Sequence, residues 1–166
     1  MDYLWTPWRM AYIRGEKKPA GGCIFCKLAA AQDDNGQIIA RSGYVYVTLN
    51  LYPYNNGHLM VIPNQHTDTP ENLPTEALTD LMQTTNRALA VLRAAYNPPA
   101  FNLGANIGPA AGAGIAEHYH FHIVPRWPGD ANFMTTIAHT RVIPDTLDNI
   151  YHELKAIWHR LYPEGG

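Results

Sequence analysis

The feature that most constrains the fold is a strict alternation of histidines with apolar residues, His118-Tyr119-His120-Phe121-His122-Ile123. Successive side chains of a β-strand face opposite sides of the sheet, so the alternation predicts a strand with two different faces. Tyr119, Phe121 and Ile123 are expected on the core side, and the three histidines on the other. A row of imidazoles on one strand face is typical of a site that performs chemistry.

The rest of the chain adds strands and helices in an order typical of an α+β fold. Apolar residues at three- and four-residue spacing predict amphipathic helices over residues 74–96 and 145–162. β-branched and aromatic runs predict the other strands, two within residues 38–49 and one each at 59–62 and 101–106, and a short helix is expected at 27–32. We therefore expect an antiparallel sheet with one long packed helix and a C-terminal helix.

Composition and charge exclude several functional classes. The 166 residues are 46% hydrophobic and 16% charged, as in a soluble protein, and no apolar run is long enough to span a membrane. A net charge of -2 offers no general attraction for a polyanion, which argues against DNA or long RNA as ligand. The N-terminus lacks the basic and apolar parts of a secretory signal, so we expect a cytoplasmic protein.

The histidine row and the loop before it point to phosphoryl chemistry. Three neighbouring imidazoles repel one another when all are protonated, so their pKa values are expected to separate and leave a neutral member near pH 7. Residues 108–114 are rich in Gly and Ala, which lets backbone amides approach an anion such as phosphate. A neutral imidazole can attack a phosphoryl group and divide one difficult displacement into two.

Two motifs resemble those of the histidine-triad (HIT) family. The segment from His118 to Pro125 resembles its His-x-His-x-His motif, in which each x is hydrophobic. Upstream, Asn50-Leu51-Tyr52-Pro53 and Gly57-His58-Leu59-Met60-Val61-Ile62-Pro63 resemble its Asn/Asp-x-x-Pro element and Gly-His strand. The resemblance covers residues 23–128, and two motifs in the right order argue against a chance match.

The resemblance implies a role for each matched residue. His120 would attack an α-phosphorus to form a nucleotidyl-histidine, which water or phosphate then resolves, and His122 would contact the phosphates. Asn50 would hydrogen-bond the ribose hydroxyls, and Asn106 would hold a phosphate or the leaving group. His58 would support the geometry of the histidine row.

Segments outside the core resemble one branch of the family, the bacterial diadenosine tetraphosphate phosphorylases and hydrolases. These are residues 4–13 and 125–134, and Trp127 in the second is a further nucleotide-binding candidate. The family usually has Gln-Ser or Gly-Ser in its phosphate loop, whereas Ala113-Gly114 here offers phosphate no hydroxyl. The implied activity is cleavage of dinucleoside polyphosphates. A nucleoside phosphoramidase, a nucleotide-binding protein with little turnover and a purely structural metal strand stay open.

Two cysteines, Cys23 and Cys26, have the spacing of metal ligands but make only half of a tetrahedral site. By the resemblance, His66 matches the position of a zinc-binding histidine in metal-containing relatives, and His118 matches the position of their fourth ligand. The resemblance thus implies a structural zinc site that holds His118, itself a catalytic candidate as part of the triad, as a neutral ligand. The alternative is a pair of reduced thiols without metal.

The chain is expected to form one domain, with an N-terminal arm (1–22), a HIT core (23–128) and a C-terminal extension with a helix (129–166). Family resemblance adds a homodimer that uses the long helix and its neighbouring strand, with the arm and the C-terminal helix as extra contact surface. The tryptophans of the arm would pack either on the same chain or on the partner. The expected ligand is an adenine nucleotide or a dinucleoside polyphosphate.

Overall fold

The computed structural model describes residues 22–31, 37–130 and 145–163. Within these ranges five strands form one antiparallel sheet in the order β1-β2-β3-β5-β4. The strands are β1 Ile38–Arg41, β2 Val45–Leu49, β3 Leu59–Pro63, β4 Ala100–Gly104 and β5 Phe121–Arg126. The predicted antiparallel α+β sheet is confirmed. Residues 1–21 of the arm and 131–144 of the C-terminal extension lie outside the described ranges.

Three helices complete these ranges: α1 Ile24–Ala30, α2 Thr75–Tyr96 and α3 Leu147–Leu161. Both predicted amphipathic helices are confirmed. Asn97, in the left-handed conformation at φ 44°, ends α2, and Thr146 caps α3 by accepting a hydrogen bond from the Asn149 amide at 3.2 Å. None of the described helices is long and apolar enough to cross a membrane.

Helix α1 begins and ends earlier than the predicted 27–32, because packing and capping fix its position. Phe25 in its first turn is buried against the sheet. At the other end, the Arg41 guanidinium donates to the carbonyls of Ala29 at 2.8 Å and Ala31 at 2.7 Å. These carbonyls have no partner within the helix, so Arg41 satisfies its C-terminal end.

The two faces of the sheet carry different layers. One face forms the main core with α2 and α3, and its buried side chains include Val45, Val47, Leu49, Leu59, Val61, Ile123, Leu81, Ala88, Val91, Leu92, Ile150, Leu154 and Trp158. Phe25 of α1 packs in a second, smaller cluster with Tyr46, Met60 and Ile62, which alternate with the core residues and so lie on the opposite face. His122 is paired with Met60, so the histidine row lies on this second face, away from the long helix.

The histidine segment only partly joins the sheet. β5 begins at Phe121, so His118 and His120 precede the strand, and the start predicted at residue 118 is wrong. The predicted alternation holds nevertheless, because Tyr119, Phe121 and Ile123 all pack against the main core.

Competing hydrogen bonds explain the late start of β5. The carbonyl of Pro63 accepts a hydrogen bond from the side chain of His118 at 2.9 Å. The Tyr119 amide donates to the Thr67 carbonyl in the loop after β3. These backbone groups are therefore satisfied by a side chain and a loop instead of a strand ladder.

Candidate active site and metal centre

A chain of hydrogen bonds fixes the protonated nitrogen of His122. The backbone N–H of Tyr54 donates to Nδ1 of His58 at 3.0 Å, so the proton of neutral His58 is on Nε2. That Nε2 lies 2.9 Å from Nδ1 of His122 and donates to it. The proton of neutral His122 is therefore on Nε2, where it can be donated to a ligand. His58 is 1% exposed and its ring stacks on Tyr54 at 4.9 Å, so the pair is held rigidly.

His120 has the opposite tautomer. Its Nδ1 lies 2.8 Å from the backbone carbonyl oxygen of His118, and because a carbonyl only accepts, the proton is on Nδ1. The lone pair is left on Nε2. The side chain is 5% exposed, and the rings of Phe25 and His122 lie 5.1 Å and 4.9 Å from its own. An unprotonated, immobilised Nε2 is the form an imidazole needs to act as a nucleophile.

Burial keeps all three triad imidazoles neutral near pH 7. The pKa of His122 falls to about 4, mainly because of burial and secondarily because of the neighbouring charge of His120. Burial also lowers the pKa of His120 and that of His118, although the carbonyls that accept their hydrogen bonds act in the opposite direction. The sequence predicted a separation that leaves one neutral member. In the structure each member is neutral, because burial acts on all of them.

The backbone next to His58 requires the glycine at position 57. Gly57 has a φ of 69°, and a Cβ there would lie 2.9 Å from Cε2 of Tyr96 and 3.0 Å from Cδ2 of Leu92. On the other side, the His58 carbonyl accepts a hydrogen bond from the Asn50 amide at 3.0 Å. The Gly-His pair of the sequence motif is therefore clamped between α2 and the end of β2.

A second constellation joins the four predicted metal ligands. The ligand atoms of Cys23, Cys26, His66 and His118 all lie within 4.8 Å of one another. Nδ1 of His118 is 3.3 Å from Sγ of Cys23 and 3.3 Å from Nδ1 of His66, which is itself 3.2 Å from Sγ of Cys26. Because Nε2 of His118 donates to the Pro63 carbonyl, its Nδ1 directs a lone pair into the cluster.

These distances fit a zinc ion. With Zn–N of about 2.0 Å and Zn–S of about 2.3 Å, a tetrahedral site has nitrogen–nitrogen edges of about 3.3 Å and nitrogen–sulfur edges of about 3.6 Å. Four of the six separations between ligand atoms run from 3.2 to 3.6 Å, and all six are within 4.8 Å. Two thiols and two imidazoles also form a closed donor set of the structural zinc type, and neither cysteine is in a disulfide.

The Gly-rich loop approaches the site with its C-terminal end. Gly108 and Gly112 have φ values of 80° and 83°, which turn the loop sharply. The Ala113 amide donates to the Gly108 carbonyl at 3.3 Å, so it is engaged within the loop. Ile115 packs against the smaller cluster on the histidine face, and this contact places Gly114 beside that face.

The remaining nucleotide-binding candidates follow the ends of three strands of the sheet. Asn50 follows β2 and is tied to His58 through its backbone amide. Asn106 lies two residues beyond β4, the neighbour of β5. Trp127 follows β5, and its amide donates to a carboxylate oxygen of Asp130 at 3.3 Å. Each of the three side chains is half-buried.

Sequence reasoning gave no role to several residues that contact the site histidines or form the hydrogen-bonded network at the end of β5: Phe25, Tyr54, Asn55, Arg126 and Asp130. Tyr54 acts through a backbone N–H, which nearly every residue type provides, so its side chain carried no signal for that role. Arg126 and Asp130 have opposite charges and lie four residues apart. This spacing indicates an ion pair only where the chain turns between the two residues, as it does here.

Comparison with solved structures identifies the same architecture. A zinc-bound histidine triad family protein from Mycobacterium smegmatis superimposes with a TM-score of 0.67 and 26% sequence identity, over 84% of this chain and 95% of that one. The fold is therefore shared with a protein of known structure.

Sequence comparison leads to the same family. An AP-4-A phosphorylase of Mycobacterium tuberculosis is 40% identical over 96% of this chain and 86% of its own. The adenosine 5'-monophosphoramidase HNT1 of Saccharomyces cerevisiae is 28% identical over 81% of each chain. The HIT domain model matches residues 32–129, more than half of the chain. With that match, and a relative at 40% identity along nearly its whole length, this chain belongs to the HIT domain family.

Proposed function

We propose that this protein cleaves dinucleoside polyphosphates, with diadenosine tetraphosphate as reference substrate, through a nucleotide bound covalently to His120. The observation that carries the proposal is the tautomer of His120, whose Nδ1 donates to the His118 carbonyl at 2.8 Å and leaves Nε2 unprotonated. The AP-4-A phosphorylase relative, at 40% identity, supports the substrate class.

In the first step, the lone pair of His120 Nε2 forms a bond to an α-phosphorus. The bond from that phosphorus to its bridging oxygen breaks, and the electron pair leaves with ATP. AMP remains bound to His120. His122 donates its Nε2–H to a phosphoryl oxygen, which stabilises charge that develops there, and His58 holds His122 in the required tautomer.

In the second step, we propose that inorganic phosphate attacks the bound phosphorus. The phosphorus–nitrogen bond breaks, the electron pair returns to Nε2, and ADP is released, so that diadenosine tetraphosphate and phosphate give ATP and ADP. Attack by water instead would give AMP and ATP. The AP-4-A phosphorylase relative supports phosphate as the acceptor.

We assign substrate binding to the candidates that follow the strand ends and to the Gly-rich loop. We propose that Asn50 binds the ribose hydroxyls, that Asn106 holds a phosphate or the leaving group, and that Trp127 contacts the nucleotide. The loop residues Ala113 and Gly114 have no hydroxyl, so they would bind phosphate through the backbone. Since the Ala113 amide already donates to the Gly108 carbonyl, the Gly114 amide is better placed for this role.

We propose that Cys23, Cys26, His66 and His118 hold a structural zinc ion, which would neutralise the two thiolates and tie α1 to the histidine segment. The separations of the ligand atoms and the zinc-bound relative from M. smegmatis support this proposal. Elemental analysis of protein purified without added zinc should find about one equivalent per chain. A small fraction of an equivalent, or a Cys23→Ser variant with unchanged metal content, would contradict it.

A product assay tests the activity. Diadenosine tri-, tetra- and pentaphosphate and adenosine phosphoramidate are incubated with wild type, His120→Ala and the matched control His152→Ala, with and without phosphate, and products are separated by chromatography. His152 is an exposed histidine on α3, so its removal should leave the rate unchanged. From diadenosine tetraphosphate, wild type should form ATP and ADP only with phosphate, and His120→Ala should lose at least about 10³-fold in kcat/KM.

Each other result has a definite meaning. Turnover that survives in His120→Ala overturns the covalent mechanism. A rate indifferent to phosphate, with AMP as product, replaces the phosphorylase by a hydrolase. Mass spectrometry after brief mixing should show an AMP adduct in wild type, and no adduct together with no turnover would favour a nucleotide-binding protein.

A nucleoside phosphoramidase is the second candidate, because the chain is also 28% identical to the S. cerevisiae adenosine 5'-monophosphoramidase. It would form the same His120 intermediate with an amine as leaving group. A higher kcat/KM for adenosine phosphoramidate than for every dinucleoside polyphosphate of the panel would select it.

We further propose a cytoplasmic homodimer built from single-domain chains, each with the core 23–128. β4 is an edge strand of the described sheet, with Leu103 44% exposed on it, and such an edge suits pairing with a second copy. Two unpaired cysteines fit a reducing compartment. Light scattering should give the mass of a dimer, and Leu103→Asp should shift it to a monomer.

A further inference from the structure

A hydrogen-bonded network lies just beyond the triad, at the end of β5. The Arg126 guanidinium binds Asp130 through two hydrogen bonds, at 2.6 Å and 2.9 Å, and donates to Oδ1 of Asn102 on β4 at 2.6 Å. The Asp130 side chain is only 13% exposed. Its hydrogen bonds with Arg126 lower the pKa of Asp130 to about 2, so the carboxylate stays charged at any pH at which the protein would be assayed.

Asn55 connects this network to the loop between β2 and β3. Its Nδ2 donates to Oδ2 of Asp130 at 2.8 Å and to the carbonyl of Pro125 at 3.0 Å. The side chain thus uses both amide hydrogens on the end of β5. The loop is pinned there by a charged acceptor, and bonds of this kind are stronger than neutral ones.

The pinned loop is the one that sets the tautomer of His58. The His58 amide donates to the Asn55 carbonyl at 3.2 Å, and the Tyr54 amide donates to Nδ1 of His58 at 3.0 Å. Tyr54 directly precedes Asn55, so a shift of Asn55 moves the Tyr54 N–H. Without that donor, Nδ1 of His58 can be protonated, and Nε2 then accepts instead of donating toward His122.

We propose that Asn55 and Asp130 are positioning residues of the reaction, which hold the Tyr54 N–H against His58 and thereby keep the proton of His122 on Nε2. The catalytic part rests on the proposed function, whereas the effect on the tautomers depends on the geometry alone. The Arg126–Asp130 ion pair, which lies outside the site, is in this way linked to Nε2 of His122, the nitrogen that would donate to the phosphates.

The test compares Asn55→Ala, Asp130→Asn and the near-isosteric Asn55→Asp, in which carboxylate repulsion breaks the same bond without a cavity. Asp80→Asn is the matched control. Asp80 accepts hydrogen bonds from Ser42 Oγ at 2.6 Å and the Tyr44 amide at 2.8 Å, so it pins a different loop, the one between β1 and β2, in a similar way. Far-UV circular dichroism confirms folding of each variant.

Two readouts separate positioning from simple loss of stability. Long-range proton–nitrogen NMR of the free protein should show Nε2–H on His58 and His122 in wild type and Asp80→Asn, and a mixture of tautomers on His58 in the other three variants. In the product assay these three should lose at least about tenfold in kcat with KM changed by less than about threefold, since loss of a proton-donating contact costs roughly 10²- to 10⁴-fold.

The outcomes are distinguishable. If the folded variants retain pure Nε2–H tautomers, or if Asp80→Asn shows the same mixture, the positioning role is wrong. If Asn55→Ala fails to fold, Asn55→Asp and Asp130→Asn decide by the same criteria. A wild-type protein inactive on every substrate contradicts the proposed function, while the NMR readout still decides whether Asn55 and Asp130 control the tautomer.

Discussion

The low pKa of His122 makes the stability of the fold depend on pH in a predictable way. The pKa of this buried imidazole is about 4 in the folded chain, against an ordinary value of 6.5. The unfolded chain therefore binds a proton between these values that the folded chain does not bind, and the free energy of unfolding falls as the pH drops from 6.5 toward 4. Above 6.5 His122 is neutral in both states and its contribution is constant.

The size of the effect follows from the same two values. At pH 5 the two pKa values correspond to a loss of about 2 kcal/mol in the free energy of unfolding, relative to neutral pH. This figure is an upper bound, because the ring is only partly shielded from water. His122→Gln removes this imidazole together with its electrostatic interaction with His120. Comparing wild type with His122→Gln therefore reports the contribution of His122 and of that interaction together.

Urea unfolding between pH 5 and 7.5 measures the contribution of His122 to the free energy of unfolding. Wild type and His122→Gln should differ by a constant free energy of unfolding above pH 6.5. Toward pH 5 wild type should lose about 1 to 2 kcal/mol relative to the variant, because the variant has no imidazole to protonate. A difference that stays constant within about 0.5 kcal/mol over the whole range would show that burial does not lower the pKa of His122.

Three further predictions concern the supports of the site. Gly57→Ala should destabilise the fold by about 2 kcal/mol in urea unfolding, because residue 57 has a φ of 69° and a Cβ there would lie 2.9 Å from Tyr96. Gly43→Ala is the control, since nothing lies within 4 Å of a Cβ at that position. Equal effects of the two substitutions would contradict the requirement for glycine at position 57. Trp158→Ala should cost about 3 to 5 kcal/mol, since the indole is fully buried under the sheet, and a loss below about 1 kcal/mol would refute its place in the core. Removal of bound metal with a chelator should lower the melting temperature of wild type, whereas Cys23→Ser should start at the lower value and not respond.

Much of the fold was readable from periodicity, because periodicity reports which side of an element is buried. Apolar spacing predicted α2 and α3, and the alternation around Phe121 predicted which side chains enter the core. The start of β5 was not predictable in this way. Whether His118 joins the ladder depends on whether the Pro63 carbonyl bonds a strand or a side chain, and that competition is decided by groups more than fifty residues apart.

The residues of the site were likewise predictable only in part. The histidines and cysteines were predicted because their side chains carry the chemistry, and the structure brings Cys23 and His66 to within reach of His118. Tyr54 contributes a backbone amide and Asn55 an ordinary loop side chain, so neither differs in sequence from residues that only form turns. Their importance follows from where β5 ends relative to the loop before β3, which is a property of the three-dimensional arrangement.

His118 explains why the metal centre and the triad lie side by side. Its ring directs Nδ1 toward the cysteines, while its backbone carbonyl accepts the proton-bearing Nδ1 of His120 at 2.8 Å. One residue therefore fixes both the proposed zinc site and the tautomer of the proposed nucleophile. A metal that holds the His118 ring would also hold the carbonyl, because ring and carbonyl are separated by only a few bonds. Phe25 of α1 adds a second link, since its ring lies against both His118 and His120 at 5.6 Å and 5.1 Å. Metal at this centre would thus act on the reaction through the orientation of His120 and not through contact with the substrate.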